Sequence, residues 1–166
     1  MVTFEPLLSL VGTWELVSFW WRMPDGQTTQ PWGAHPAGRI TYDSNGYVTA
    51  LLMHESRNEA GGQSSPAEIQ ADFSAYFGSY IVDIEGGTII HRVAGSLSAA
   101  HASGEIRRTF ELNDGVLNLS FIRPREGVPV TYSLAWTRIS PGDRRAGILG
   151  VGGSKPSTGS DTAAYC

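Results

Sequence analysis

Three short turn sequences constrain this chain more than any other feature. Asp43-Ser44-Asn45-Gly46 separates residues 39–42 from 47–53, Glu85-Gly86-Gly87 separates 79–84 from 88–97, and Asn113-Asp114-Gly115 separates 105–112 from 116–122. The flanking runs carry branched and aromatic side chains, and each turn ends on a glycine that accepts positive φ. Turns this short join only antiparallel neighbours, because a parallel crossover takes about a dozen residues or more. Hairpins in series make an all-β meander.

The run from Gly12 to Arg22 supplies the first strand. Side chains alternate faces along a strand, so Trp14, Leu16, Ser18 and Trp20 are expected on one side, with Glu15, Val17, Phe19 and Trp21 on the other. Apolar groups on both sides predict a strand covered on one face and partly shielded on the other. The outer set, Val17, Phe19 and Trp21, is compatible with a homodimer contact. The last run, 128–139, aligns Tyr132, Leu134, Trp136 and Arg138 on one side. Runs at 12–22, 39–42, 47–53, 79–84, 88–97, 105–112, 116–122 and 128–139 make eight strands. Eight strands close into a barrel just wide enough for one small ligand.

One short α-helix is expected after the third strand. Ser65 suits the cap, Pro66 the first helical position and Glu68 a capping box. Ile69, Phe73, Tyr76 and Phe77 then fall at helical spacing, and Gly78 is placed to end the helix. The expected fold is therefore an all-β, eight-stranded antiparallel up-and-down barrel with a single helical insertion.

Composition sets the remaining bounds. The 166 residues fit one domain, with the barrel over 1–140. Within the lead-in, Phe4, Leu7 and Leu8 are available to plug a barrel end. From 141 to 166 Gly, Ser, Thr and Ala dominate and strand periodicity stops, which predicts a flexible tail. With charged residues at 17% and a net charge of -4, the chain lacks the basic face that a nucleic acid or an anionic membrane would need. Its apolar runs fall short of the roughly 20 residues that cross a bilayer. No secretory leader pattern is visible, so a cytoplasmic protein is expected. Cys166 is the only cysteine, and His35, His54, His91 and His101 lack metal-ligand spacing. Phosphate-binding, dinucleotide and nucleophile-elbow motifs are missing. No metal or cofactor is expected.

Alternation also nominates the polar residues that face inward. His91 shares a face with Ile89 and Val93, and Arg108 with Ile106, Phe110 and Leu112. Tyr42 aligns with Ile40, Tyr80 with Val82, and Tyr132 with Trp136. Apolar walls with a few convergent polar groups are the usual make-up of a small-molecule site. In an enzyme, His91 would move a proton, Arg108 would hold a carboxylate or developing enolate oxygen, and Tyr132 would donate to the same oxygen. Tyr42, Tyr80, Trp20, Trp32, Trp136 and Phe110 would bind the ligand. That equipment suits cofactor-free isomerisation, dehydration or cyclisation of a hydrophobic polyketide- or terpenoid-like molecule. The alternative is a carrier that binds such a molecule without acting on it. Arg108 also has a structural alternative, an ion pair with Asp83 or Glu105.

The ordered set Gly12-Thr13-Trp14, Pro31-Trp32-Gly33, Pro36-Ala37-Gly38, Tyr42 and Gly46-Tyr47 resembles the lipocalin-like domain family of bacterial and fungal proteins. The likeness continues through Phe73-Ser74-Ala75-Tyr76-Phe77-Gly78-Ser79-Tyr80, Gly87-Thr88-Ile89-Ile90-His91, Gly95-Ser96-Leu97 and Arg107-Arg108, and covers roughly residues 8–139. The resemblance implies an eight-stranded calyx with a small-molecule cavity, in a family with some members encoded among natural-product biosynthesis genes. It leaves the reaction open. The first strand is also similar to the Gly-x-Trp signature of true lipocalins, which implies that Trp14 packs against Arg138.

Overall fold

The computed structural model describes residues 9–58, 65, 67, 72–98 and 104–140. The strands are β1 (Gly12–Arg22), β2 (Thr28–Thr29), β3 (Ala37–Tyr42), β4 (Tyr47–Met53), β5 (Phe73–Asp83), β6 (Thr88–Ser96), β7 (Glu105–Asn113), β8 (Val116–Arg125) and β9 (Val128–Arg138). Each of β3 to β8 pairs antiparallel with the next, and β1 pairs with both β3 and β9. The eight long strands thus form a closed barrel, and the two-residue β2 adds to the end of β1. Closure gives every long strand a partner on both sides over part of its length.

Up-and-down connectivity sorts the loops onto two ends. Asp43 to Gly46, Ile84 to Gly87 and Asp114-Gly115 make tight turns at one end. The longer connections, which follow β1, β4 and β6, leave the barrel at the other end. The tight end is sealed. Trp14 is fully buried there and its indole N–H donates to the Leu10 carbonyl at 2.9 Å. The Arg138 guanidinium lies 4.3 Å over the Trp14 ring and donates to the Val11 carbonyl at 2.6 Å and to the Ser9 carbonyl. Gly12 has φ +145°, and a Cβ there would overlap that guanidinium. Only glycine serves both demands.

Two bulges correct the expected alternation. In β1, Leu16 faces Trp136 while Ser18 faces Ala135, so Val17 is the extra residue. A bulge shifts the strand by one position and exchanges its faces beyond that point. Trp14 and Leu16 point inward as expected, but beyond the bulge Phe19 and Trp21 turn inward and Trp20 turns outward, 38% exposed. The apolar outer stripe expected on this strand reduces to Val17 and Trp20. The second bulge lies where β5 meets β6, at Phe77/Gly78. A Cβ on Gly78 would overlap the Arg92 carbonyl, so this glycine serves a close approach of two backbones.

That finding also revises the expected helix. Phe73, Tyr76, Phe77 and Gly78 all belong to β5, with Tyr76 buried inside and Phe77 57% exposed outside. Pro66, Glu68 and Ile69 lie outside the described residues, as do Phe4, Leu7, Leu8 and the tail 141–166. Among the described residues the segment after β4 opens with a short 3-10 turn, Glu55–Asn58. No helix among them is long and apolar enough to cross a membrane.

Candidate functional site

The interior has two layers. Toward the sealed end lies a packed floor built on His91, which is fully buried. The Tyr42 hydroxyl meets its Nε2 at 3.0 Å and the Tyr76 hydroxyl meets its Nδ1 at 2.9 Å. Desolvation by burial, reinforced by the charge of Arg108, pushes the imidazole pKa down to about 3. The ring is therefore neutral at physiological pH, with one nitrogen donating to one phenol and the other accepting from the second. Burial pushes Tyr42 and Tyr76 up, with Arg108 opposing the rise in both. Both phenols hold their protons at neutral pH.

Tyr80 completes this floor. Its ring meets Tyr42 edge-on at 5.0 Å, and its hydroxyl donates to the Asp43 carbonyl at 2.8 Å. Burial, and then the Asp43 charge, raise its pKa. Phe110 packs against the same core.

Above the floor is a cavity of about 240 Å³, a little below the range of about 300–1,000 Å³ usual for ligand sites. Its walls are mostly aromatic. Tyr132 stacks on Phe121 at 4.7 Å and on Phe19 at 6.2 Å, while Trp21 meets Tyr132 edge-on at 5.6 Å. Trp32 packs edge-on against Phe19 at 5.1 Å. The loop that carries Trp32 is tied down by Glu55, whose N–H donates to the Trp32 carbonyl at 3.2 Å. The Glu55 carboxylate accepts from the His35 N–H at 2.7 Å. Gly33, at φ +83°, leaves room for that carboxylate.

Arg108 projects from β7 into this cavity, with its guanidinium 3.9 Å over the Phe121 ring. It acts on the Tyr76 hydroxyl as a charge and as a donor. Burial lowers its own pKa. The paired register of β7 and β8 stops at Thr109 and Ser120, so Arg108 and Phe121 face each other where the two strands have parted. Glu105 is engaged elsewhere, by Arg92 at 3.2 Å and Arg107 at 2.9 Å. Asp83 accepts from the Gly86 N–H at 2.9 Å. No carboxylate among the described residues forms an ion pair with Arg108.

The sequence-derived candidates therefore divide. Arg108, Tyr132, Trp32 and Trp136 line the cavity. His91, Tyr42 and Tyr80 lie together in the floor beneath it, Phe110 packs in the core, and Trp20 is outside the barrel. The structure adds Tyr76, Phe19, Trp21, Phe73 and Phe121 to the cavity wall. Tyr76 was readable from the period-two pattern Ser74, Tyr76, Gly78, Tyr80, Val82, which competes with the helical spacing of the same segment.

A closed antiparallel barrel sealed at one end, with an aromatic cavity toward the other, has the architecture of a calyx. The model of the lipocalin-like domain family matches residues 11–139, and the chain belongs to that family. A search of curated proteins found no match.

Proposed function

We propose that the protein binds one small hydrophobic molecule within the barrel, as a lipocalin-like binding or carrier protein. The observation that carries this reading is the aromatic cavity itself, closed below by the His91 floor. Aromatic walls supply large apolar contact area, and the few polar groups among them fix orientation. Native mass spectrometry of protein purified from its own host tests it. The expected result is one bound small molecule per chain. A protein that arrives empty, and takes up no member of a panel of small aromatic and terpenoid compounds, overturns the reading.

A second reading is favoured by one contact. Tyr76 lines the cavity while its hydroxyl is hydrogen-bonded to His91 and lies near Arg108. In a cofactor-free isomerase, cyclase or dehydratase of secondary metabolism, Tyr76 would exchange a proton with the ligand, and His91 would act through it as a positioning residue. A fully buried imidazole with a pKa near 3 is poorly matched to direct proton transfer at neutral pH. Tyr76→Phe should abolish turnover of the ligand recovered above. Unchanged turnover removes this reading and leaves binding intact.

A further inference from the structure

The charged side chains that line the cavity, Arg108 and Arg123, are of one sign, and no carboxylate among the described residues lines it. Arg108 brings a guanidinium, which has donors and no acceptor. Trp21 and Trp136 line the same cavity, and their buried indole nitrogens have no hydrogen-bond partner among the described residues. An indole N–H only donates. A buried donor left unmade costs free energy, and a half-buried cation such as Arg108, without a counter-ion, adds to that cost. Orphaned polar groups in a folded protein call for an explanation.

We infer that the ligand is a flat, conjugated acid whose anionic oxygens sit against Arg108 and whose rings lie between Phe19, Trp32, Phe121 and Tyr132. An oxyanion supplies what the cavity lacks, a negative charge for Arg108, and brings further acceptors with it. Carboxylate and guanidinium pair in a planar, two-pronged geometry. The stack of Phe121 on Tyr132, 14° from parallel at 4.7 Å, forms a flat wall beside the cation. Flat rings fill such a slot at little conformational cost, whereas a flexible acyl chain must lose rotamer freedom to enter it. The chemical class is thus an aromatic or polyenic carboxylic acid, or a phenol acidic enough to be ionised. This rests on the binding reading above.

The test compares 2-naphthoate with 2-naphthamide, which share a ring system and differ in charge. Binding is followed at neutral pH by calorimetry and by quenching of tryptophan fluorescence. The wild-type protein is expected to prefer the acid by about tenfold or more, the scale of a hydrogen bond to a charged group. Arg108→Gln is expected to erase that preference while keeping affinity for the amide, and Arg108→Lys to retain part of it. Equal affinity of the wild type for the two compounds overturns the acid assignment while leaving a small-molecule site. So does a preference that survives in Arg108→Gln. Failure of both compounds to bind the wild type overturns the assignment and counts against the binding reading as well. The wild-type comparison needs no variant to fold.

Discussion

Arg138 lies 4.3 Å over Trp14 at the sealed end of the barrel, and Arg108 lies 3.9 Å over Phe121 inside the cavity. The two contacts belong to the same class of interaction, but their surroundings differ. Arg138 is exposed on one side, and its donors are taken by the Val11 and Ser9 carbonyls over a glycine that makes room for it. It ties the start of β1 to the end of β9. Arg108 is drawn into an aromatic cavity, where Tyr76 is its near polar neighbour and no carboxylate of the described residues pairs with it. One arginine completes the fold. The other is retained despite the cost of desolvating a cation.

The largest effect expected from this contrast is at the sealed end. Trp14→Ala should cost about 3–5 kcal/mol of stability in chemical denaturation, as large-to-small changes at buried aromatics do. A loss below about 1 kcal/mol would mean that barrel closure does not depend on this residue, and the contrast would collapse.

The seam between the two regions has a pH signature. Folded His91 takes up its proton only near pH 3, whereas in the unfolded chain it does so near about 6.5. Between these values the unfolded chain binds more protons, so acid favours unfolding. The contribution of the neutral ring is complete above about pH 6.5 and is lost as pH falls toward 3. The slope is about 1 kcal/mol per pH unit, or about 2 kcal/mol between pH 6.5 and 5. Denaturation curves across that interval should be steeper in pH for the wild type than for His91→Gln. Equal slopes would place a charged or solvated imidazole in the floor, and the two-layer interior would have to be redrawn.

A matched pair of variants compares the arginines directly. Arg138→Met should destabilise by about 2 kcal/mol, because it removes a cation–π contact and leaves two carbonyls without their donor. Arg108→Met should leave stability within about 1 kcal/mol of wild type or raise it, since replacing a half-buried, partly desolvated charge by an apolar chain of similar length is often neutral or stabilising. A large loss at Arg108 would make it a second structural staple.

Much of this contrast was legible in the sequence. The hairpins at Asp43 to Gly46, Glu85 to Gly87 and Asn113 to Gly115 could be read because their turn chemistry is local, and the meander follows from them. The contact of Trp14 with Arg138 was implied by the likeness to the Gly-x-Trp signature, and both residues lie on the sealed-end side of the bulge in β1. The inward facing of His91 and Arg108 followed from alternation as well, but their depth did not. Whether a side chain lines a cavity or packs beneath it depends on neighbours from other strands, here Tyr42 and Tyr76, which bracket His91. The misread segment, Phe73 to Gly78, carries a genuine ambiguity. Aromatics spaced three and four apart fit a helix, while the period-two set Tyr76, Gly78, Tyr80 fits a strand, and pairing with β4 and β6 decides.

The bulge at Val17 is the least legible feature and supports the smallest prediction. Nothing local in Leu16-Val17-Ser18 marks it. It arises where β1 must keep pairing with β9 as the barrel curves, with Leu16 opposite Trp136 and Ser18 opposite Ala135. Its consequence is that two adjacent tryptophans belong to different worlds. Trp20→Ala, on the outer surface, should change stability by no more than about 0.5 kcal/mol and leave the binding of 2-naphthoate untouched. Trp21→Ala removes a cavity wall and one of the two partnerless indole donors, so it should weaken that binding severalfold while the barrel stays folded. If the roles were reversed, with Trp20 governing affinity, then β1 would alternate without interruption. Phe19 would then lie outside, and the aromatic wall against which Arg108 is set would lose the ring that joins Trp32 to Tyr132.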